Sequence, residues 1–216
     1  MMKIKVCGMR DTANLAELVE LKPDFIGFIF YDKSPRFVGE NLDEEFIKSI
    51  PKPIKKVGVF VNANPDYILR MAKKYDLQYV QLHGHETPDF CRTIKMRGVN
   101  IIKAFSIESD FNFATLNNDK PHCDYFLFDA KGANPGGNGI TFDWSVLNRY
   151  DNDRPFFLSG GLSLENIVQV NELKAKIYGL DVNSKFETAP AVKDIDALRQ
   201  LFELIRPIEE EEEIEA

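Results

Sequence analysis

The sequence predicts a single (β/α)8 barrel, eight parallel strands closed on themselves inside a ring of helices, and three observations predict it. Strand-like and helix-like stretches alternate from one end of the chain to the other. Eight such units share 216 residues, which suits a small barrel, a fold whose size range begins near ~200 residues. The unusual polar residues gather at the ends of the strand-like runs and just after them, where a barrel of this kind carries its chemistry.

Taken in order, β-branched and aromatic runs fall at 4–7, 25–31, 56–61, 78–82, 101–105, 125–128, 156–158 and 178–182, a composition that fits a buried pleated surface. Helices are predicted at 12–21, 65–75, 88–97, 164–173 and 191–205, with weaker helical patterns at 42–49, 111–117 and 142–148. Within 65–75, Tyr67, Ile68, Met71 and Tyr75 recur at helical spacing and mark one face for burial. Asn64-Pro65 and Thr87-Pro88 each put a capping side chain before a proline in the first helical turn, where the missing N–H has no partner to lose. Repeated βα units force parallel strands, because each crossover returns the chain to the same end of the sheet. An open doubly wound sheet is the alternative, but no GxGxxG or Walker-type loop follows the first run. With no internal linker, residues 1–206 are expected to form one barrel domain. The acidic tail at 207–216 has little to bury and is expected to fray.

Composition narrows the function classes. The chain is 44% hydrophobic and 28% charged, with a net charge of −7, as in an ordinary soluble globular protein. Lys and Arg are scattered, so no nucleic-acid footprint is expected. No apolar run approaches the ~20 residues that cross a bilayer. A cytoplasmic protein independent of membranes is expected. The three cysteines, Cys7, Cys91 and Cys123, are unevenly spaced and show no CxxC, which predicts reduced thiols rather than a disulfide framework.

The strand ends carry the chemistry. The first run ends in Cys7-Gly8, the second leads to Ser34-Pro35-Arg36, and the fourth ends in Gln81-Leu82-His83-Gly84. The sixth ends in Asp129, the seventh in Ser159-Gly160-Gly161, and the eighth in Asp181-Val182-Asn183-Ser184. Two readings fit Gly160-Gly161: a tight turn that needs φ > 0, or a phosphate cradle of backbone N–H groups ahead of a helix begun near Ser163. Position after the seventh strand favours the cradle, joined one strand later by Asn183 and Ser184. Cys7, beside a glycine at a strand end, reads as an accessible thiol, with Lys5 on the same strand face to favour its ionisation. Asp129 closes an apolar strand, where partial burial suits a general acid. Cys91 and Cys123 read as structural. His83, His85 and Glu86 offer too few ligands for a metal. His83 reads as a wall of the site and His85 as loop surface. The glycine-rich stretch 131–139 is either a long turn or a lid that excludes water.

Together these residues resemble one family. Lys5-Val6-Cys7-Gly8, Ser34-Pro35-Arg36, Val80-Gln81-Leu82-His83-Gly84, Gly136-Gly137-Asn138-Gly139 with Phe142-Asp143-Trp144, and Ser159-Gly160-Gly161-Leu162 are similar to the motifs of phosphoribosylanthranilate isomerases. The resemblance implies a cofactor-independent and metal-independent isomerase of tryptophan biosynthesis, an intramolecular oxidoreductase of the aldose–ketose type. It implies Asp129 as acid and Cys7 as base, with Arg36 on the anthranilate carboxylate and Gln81 and His83 against the substrate. Gly160, Gly161, Asn183 and Ser184 would hold the phosphate of this phosphosugar, and Asp181 would tune Cys7. A monomer and a homodimer are both compatible with it. Two positions depart from the family pattern: Lys185 stands where a glycine is usual, and Asn138 where Thr or Ser is.

Overall fold

A computed structural model describes residues 1–39, 42–130 and 142–206; the expected lid at 131–139 and the acidic tail lie outside them. Eight strands form the closed barrel: β1 (Lys3–Val6), β2 (Phe25–Ile29), β3 (Lys55–Phe60), β4 (Tyr79–Leu82), β5 (Asn100–Ile107), β6 (Tyr125–Ala130), β7 (Phe156–Leu158) and β8 (Gly179–Val182). Every neighbouring pair is parallel, and β1 closes the ring by pairing with β8, Lys5 opposite Asp181. All eight fall within a few residues of the β-branched and aromatic runs that predict them.

The crossovers divide into two kinds. In the first half they are α-helices: α1 (Thr12–Glu20), α2 (Glu44–Ser49), α3 (Pro65–Lys74) and α4 (Pro88–Lys95). Each begins at a side-chain cap, and Asn64 and Thr87 cap α3 and α4 as their sequences predict. In the second half the helices expected at 111–117, 142–148 and 164–173 are instead 3-10 turns at Phe113–Asn118, Trp144–Arg149 and Ile167–Glu172. These segments are short and rich in Asn, Val and aromatic residues, which propagate an α-helix poorly. The helix expected at 191–205 begins only at Asp194, whose carboxylate caps Ala197, giving α5 (Ile195–Ile205). Ahead of it, β9 (Glu187–Ala189) and β10 (Val192–Lys193) form an antiparallel hairpin.

Strand residues alternate between two environments because successive side chains point to opposite faces. Ile4, Val6, Ile26, Phe28, Phe126 and Phe128 point outward into the layer under the helices. The inward set at the N-terminal end is aromatic and aliphatic: Phe25, Val57, Ile102, Leu127 and Phe157, with Tyr79, Tyr125 and Tyr178 against them. Phe157 sits edge-on to Phe25 with centroids 5.1 Å apart. This plug closes the floor of the barrel. One step higher, the same inward parity delivers polar groups.

Candidate active site

Cys7, Gln81, His83, Asp129, Ser159, Asp181 and Asn183 line one pocket at the C-terminal ends of the strands, with Arg36 and Ser34 from the loop after β2. Each strand-borne member shares the inward parity of the floor residues beneath it. Val59, Ile29 and Tyr31 pack beside Cys7 and form the apolar side.

Cys7 stands over a buried charge pair. The Lys5 ammonium, fully enclosed, donates to Asp181 Oδ1 at 2.8 Å across the β1–β8 seam. Burial opposes the charge on Lys5, yet Asp181 and Cys7 outweigh it and hold the ammonium above the ordinary lysine value. Burial pushes the Cys7 thiol up, while Lys5 and Lys193 pull it down and Asp181 adds to the rise. The net is upward, so the help expected from Lys5 is present but does not prevail, and Cys7 rests as a thiol. Burial also raises Asp181, against Lys5. One cation thus faces two acids. Room for the sulfur comes from Gly27 on β2, where an added Cβ would lie 2.6 Å from Cys7 Sγ.

Asp129 occupies the next-to-last position of β6, three strands away from Cys7 around the barrel. Its Oδ1 accepts the Ala130 N–H at 2.9 Å, and its Oδ2 lies 3.3 Å from His83 Nε2. Gln81 Nε2 approaches the other ring nitrogen of His83 at 2.8 Å. The ring is thus held at both nitrogens, Nδ1 by the Gln81 amide and Nε2 facing Asp129. Gln81 Oε1 is buried without a partner among the described residues and is the free acceptor of this chain of groups. Glu86 accepts from the Asn62 and Gly84 N–H groups and pairs with Lys103 at 2.7 Å, fastening the loop after β4, and His85 is exposed.

Gly160 and Gly161 both have positive φ, 91° and 66°, so the turn reading holds for both. A Cβ on Gly160 would meet Ala130 N at 2.6 Å and Asp129 Oδ1 at 2.8 Å. Their N–H groups have no backbone acceptor among the described residues. The helix expected to start near Ser163 does not lie behind them: the Ser163 N–H is taken by Asn166 Oδ1, and the 3-10 turn begins at Ile167. Any anion held here is held by loop N–H groups, without a helix end. Lys185 sits exposed in the 3-10 turn Ser184–Phe186 and is not among the positive-φ residues, so replacing the usual glycine costs no left-handed strain.

Glu187 and Lys193, which the sequence reading missed, complete the site. Arg36 Nε and Nη2 bind the Glu187 carboxylate at 2.7–2.9 Å. The buried Lys193 ammonium donates to both Glu187 Oε1 and Asn183 Oδ1. Burial favours neutral forms, but Arg36 and Lys193 win at Glu187 and hold its carboxyl below the usual range. At Lys193 burial prevails and lowers the ammonium despite Glu187. Of Arg36, Nη1 is the nitrogen left for a ligand among these contacts. No local signal marks the pair, since a proline at 190 is as compatible with a helix starting at 191 as Pro65 and Pro88 are with theirs.

A closed parallel barrel with a thiol, carboxylates and ammonium groups converging at the C-terminal strand ends places the chain in the class of TIM-barrel enzymes. Residues 4–204 match the family model described as N-(5'phosphoribosyl)anthranilate (PRA) isomerase, and the chain belongs to that family. It is 42% identical over 206 residues to the N-(5'-phosphoribosyl)anthranilate isomerase of Parabacteroides distasonis, covering 94% of this chain and 93% of the other. The crystal structure of phosphoribosyl anthranilate isomerase from Thermus thermophilus superposes with a TM-score of 0.84 at 27% identity, covering 94% and 98% of the two chains. A phosphoribosyl anthranilate isomerase in complex with reduced 1-(o-carboxyphenylamino)-1-deoxyribulose 5-phosphate superposes at 0.82, with 31% identity and coverage of 94% and 97%. Among the described residues, no helix is long and apolar enough to cross a membrane.

Proposed function

We propose that this chain converts N-(5-phosphoribosyl)anthranilate into 1-(2-carboxyphenylamino)-1-deoxyribulose 5-phosphate, an Amadori rearrangement in tryptophan biosynthesis. The observation that carries the reading is the opening of Cys7 and Asp129 into one pocket, in a chain that belongs to this isomerase family. Asp129, as acid, protonates the ring oxygen of the furanose, so that the C1′–O bond breaks and an iminium forms. Cys7, as thiolate, removes the C2′ proton, and the resulting enolamine tautomerises to the ketone. C1′ is reduced as C2′ is oxidised, so the redox change is internal and proton transfer alone suffices, with no cofactor or metal.

Lys5 supports whichever of Cys7 and Asp181 is anionic, which makes Asp181 the tuning partner of the base. Gln81 orients His83, whose Nε2 faces Asp129 and helps fix the acid. Arg36 meets the anthranilate carboxylate through Nη1, while Glu187 fixes its plane. The phosphate sits against the N–H groups of Gly160 and Gly161 and the corner formed by Asn183 and Ser184, on the side of the mouth nearest β7 and β8. Residues 1–206 act as one catalytic domain, in the cytoplasm.

The test is turnover of phosphoribosylanthranilate by the purified protein and by Cys7→Ser and Asp129→Asn. Each single change is expected to lower kcat by about 10²–10⁴-fold, the usual worth of a positioned acid or base, with the fold intact by circular dichroism. Near-wild-type turnover in either variant removes that residue from its role. No turnover by the wild type sinks the assignment as a whole.

A further inference from the structure

Away from the mouth, the other two thiols meet. Cys91 lies on the buried face of α4, and Cys123 leads into β6 from the turn Lys120–His122. Between them stands Asp119, at the junction of the two 3-10 turns that replace the β5–β6 helix. The two sulfurs and a carboxylate oxygen all lie within 4.8 Å of one another.

Asp119 supplies the second, independent observation. It is only 8% exposed, yet its carboxylate accepts no hydrogen bond among the described residues; only its backbone N–H and carbonyl are used. With no protein donor, that carboxylate keeps its charge on what little water reaches it, and burial already raises it above the ordinary carboxylate value. Lys103 and His122 act on it only at a distance, and Lys103 is already bound by Glu86. What the three atoms lack is a positive centre between them.

We propose that Cys91, Asp119 and Cys123 form a binding site for one thiophilic d10 divalent cation, of which Zn²⁺ is the type, with water as fourth ligand. Two sulfurs and one carboxylate oxygen are a donor set such ions accept in tetrahedral geometry. With Zn–S near ~2.3 Å and Zn–O near ~2.0 Å, the ligand atoms would stand roughly 3.5–3.8 Å apart, a contraction of at most about 1.3 Å from the 4.8 Å within which they lie. On binding, each thiol loses its proton to solvent as its sulfur bonds the metal, so two protons leave per cation and no electron moves. The ion ties α4 to the connection between β5 and β6 through three residues that do not line the pocket, and so stabilises the barrel without entering its chemistry. The proposal stands independently of the isomerase reading.

The chain has three cysteines, which makes the test decisive. Metal-stripped, reduced full-length Cys7→Ser protein is titrated with Co²⁺ and then Zn²⁺, with absorbance and proton release recorded. In that variant any thiolate-to-cobalt charge-transfer band comes from Cys91 and Cys123. The expected result is one equivalent of tetrahedral Co²⁺ with two sulfur ligands, displaced by Zn²⁺ with two protons released per ion at binding, and a higher Tm. Asp119→Asn is expected to weaken the Co²⁺ affinity at least about tenfold, since a charged ligand is lost. Cys91→Ala and Cys123→Ala should abolish the two-sulfur band. No charge-transfer band in Cys7→Ser overturns the proposal, as does a band seen in wild type that requires Cys7. A band unchanged in Asp119→Asn removes Asp119 from the site and with it the proposed donor set.

Discussion

The floor and the mouth of this barrel are built from the same strands, two residues apart, and have opposite chemistry. The floor packs Phe25 edge-on against Tyr79, Tyr125 and Phe157, with centroids 5.1–6.3 Å apart, and tilts Tyr178 against Tyr125 at 4.6 Å. The mouth holds Lys5, Asp181, Asp129, Lys193 and Glu187, all with little or no solvent. The floor gains from every group it buries. At the mouth, desolvation of each charged group must be offset by a specific partner. Stability therefore resides at one end of the barrel interior and reactivity at the other.

The largest effects should separate the two ends. Phe157→Ala deletes a fully buried ring and is expected to cost about 3–5 kcal/mol of unfolding free energy. Its kcat, measured well below the lowered Tm, should stay within a few-fold of wild type. Cys7→Ser should do the reverse: an activity loss equivalent to about 3–5 kcal/mol in transition-state stabilisation, with a Tm close to wild type. Parallel denaturant unfolding and steady-state kinetics on both variants decide the matter. If Phe157→Ala lost activity as steeply as Cys7→Ser while still folded, the division between floor and mouth would be wrong.

Gly27→Ala probes the boundary between the two layers. The added Cβ falls on Cys7 Sγ, and overpacking of this kind costs about 1–3 kcal/mol. The thiol should be pushed off its position, so kcat falls at least about tenfold, as misplacement of a reacting group does. Alanine at Gly98, where an added Cβ meets nothing within 4 Å but the φ of +82° strains it, isolates the backbone cost: it should lower stability and leave kcat unchanged.

How much of this was legible follows the same division. The parity of the strands was readable, and with it the gathering of Cys7, Gln81, His83, Asp129, Asp181 and Asn183, because a strand fixes side-chain direction every second residue. The crossovers of the second half were less readable. Their apolar spacing fits a helix, but short Asn- and Val-containing segments settle into 3-10 turns once the barrel holds both ends. The partners of Arg36 were not readable, because Glu187 is 151 residues away and sits on a hairpin whose second strand occupies the start of an expected helix. Nothing local in Ser34-Pro35-Arg36 encodes that contact.

The charge balance beneath Cys7 gives a pH prediction with a definite sign. Burial and Asp181 hold the thiol up, and Lys5 pulls it down. Since the base acts as thiolate, kcat/KM should rise with pH through a limb above the ordinary thiol range near ~8.5. Asp181→Asn removes a competing anion from Lys5, so the thiol should ionise more easily and the limb should move to lower pH. The pH dependence of Cys7 alkylation by iodoacetamide reads the same titration without turnover. A shift to higher pH in Asp181→Asn would mean that Asp181 assists deprotonation through a bond to the thiol rather than competing for Lys5.

The smallest effect concerns the hairpin that carries Glu187 and Lys193 to the mouth. Ala191 turns it with φ 68°, a left-handed conformation that strains any residue with a Cβ. Its N–H donates to Glu187 Oε1 at 3.2 Å, so the strained residue also helps place the carboxylate that holds Arg36. Ala191→Gly keeps the N–H and relieves the strain, but it frees the unfolded chain. Relief of about 1–2 kcal/mol against an entropy cost of roughly 0.5–1 kcal/mol leaves a net gain on the order of 0.5–1 kcal/mol. Urea unfolding should show a slightly higher midpoint with an unchanged slope, and KM should not move, because Glu187 keeps its donors. A midpoint that falls instead would show that the turn owes its shape to the burial of the Ala191 methyl, which would make even this corner of the mouth depend on packing as the floor does.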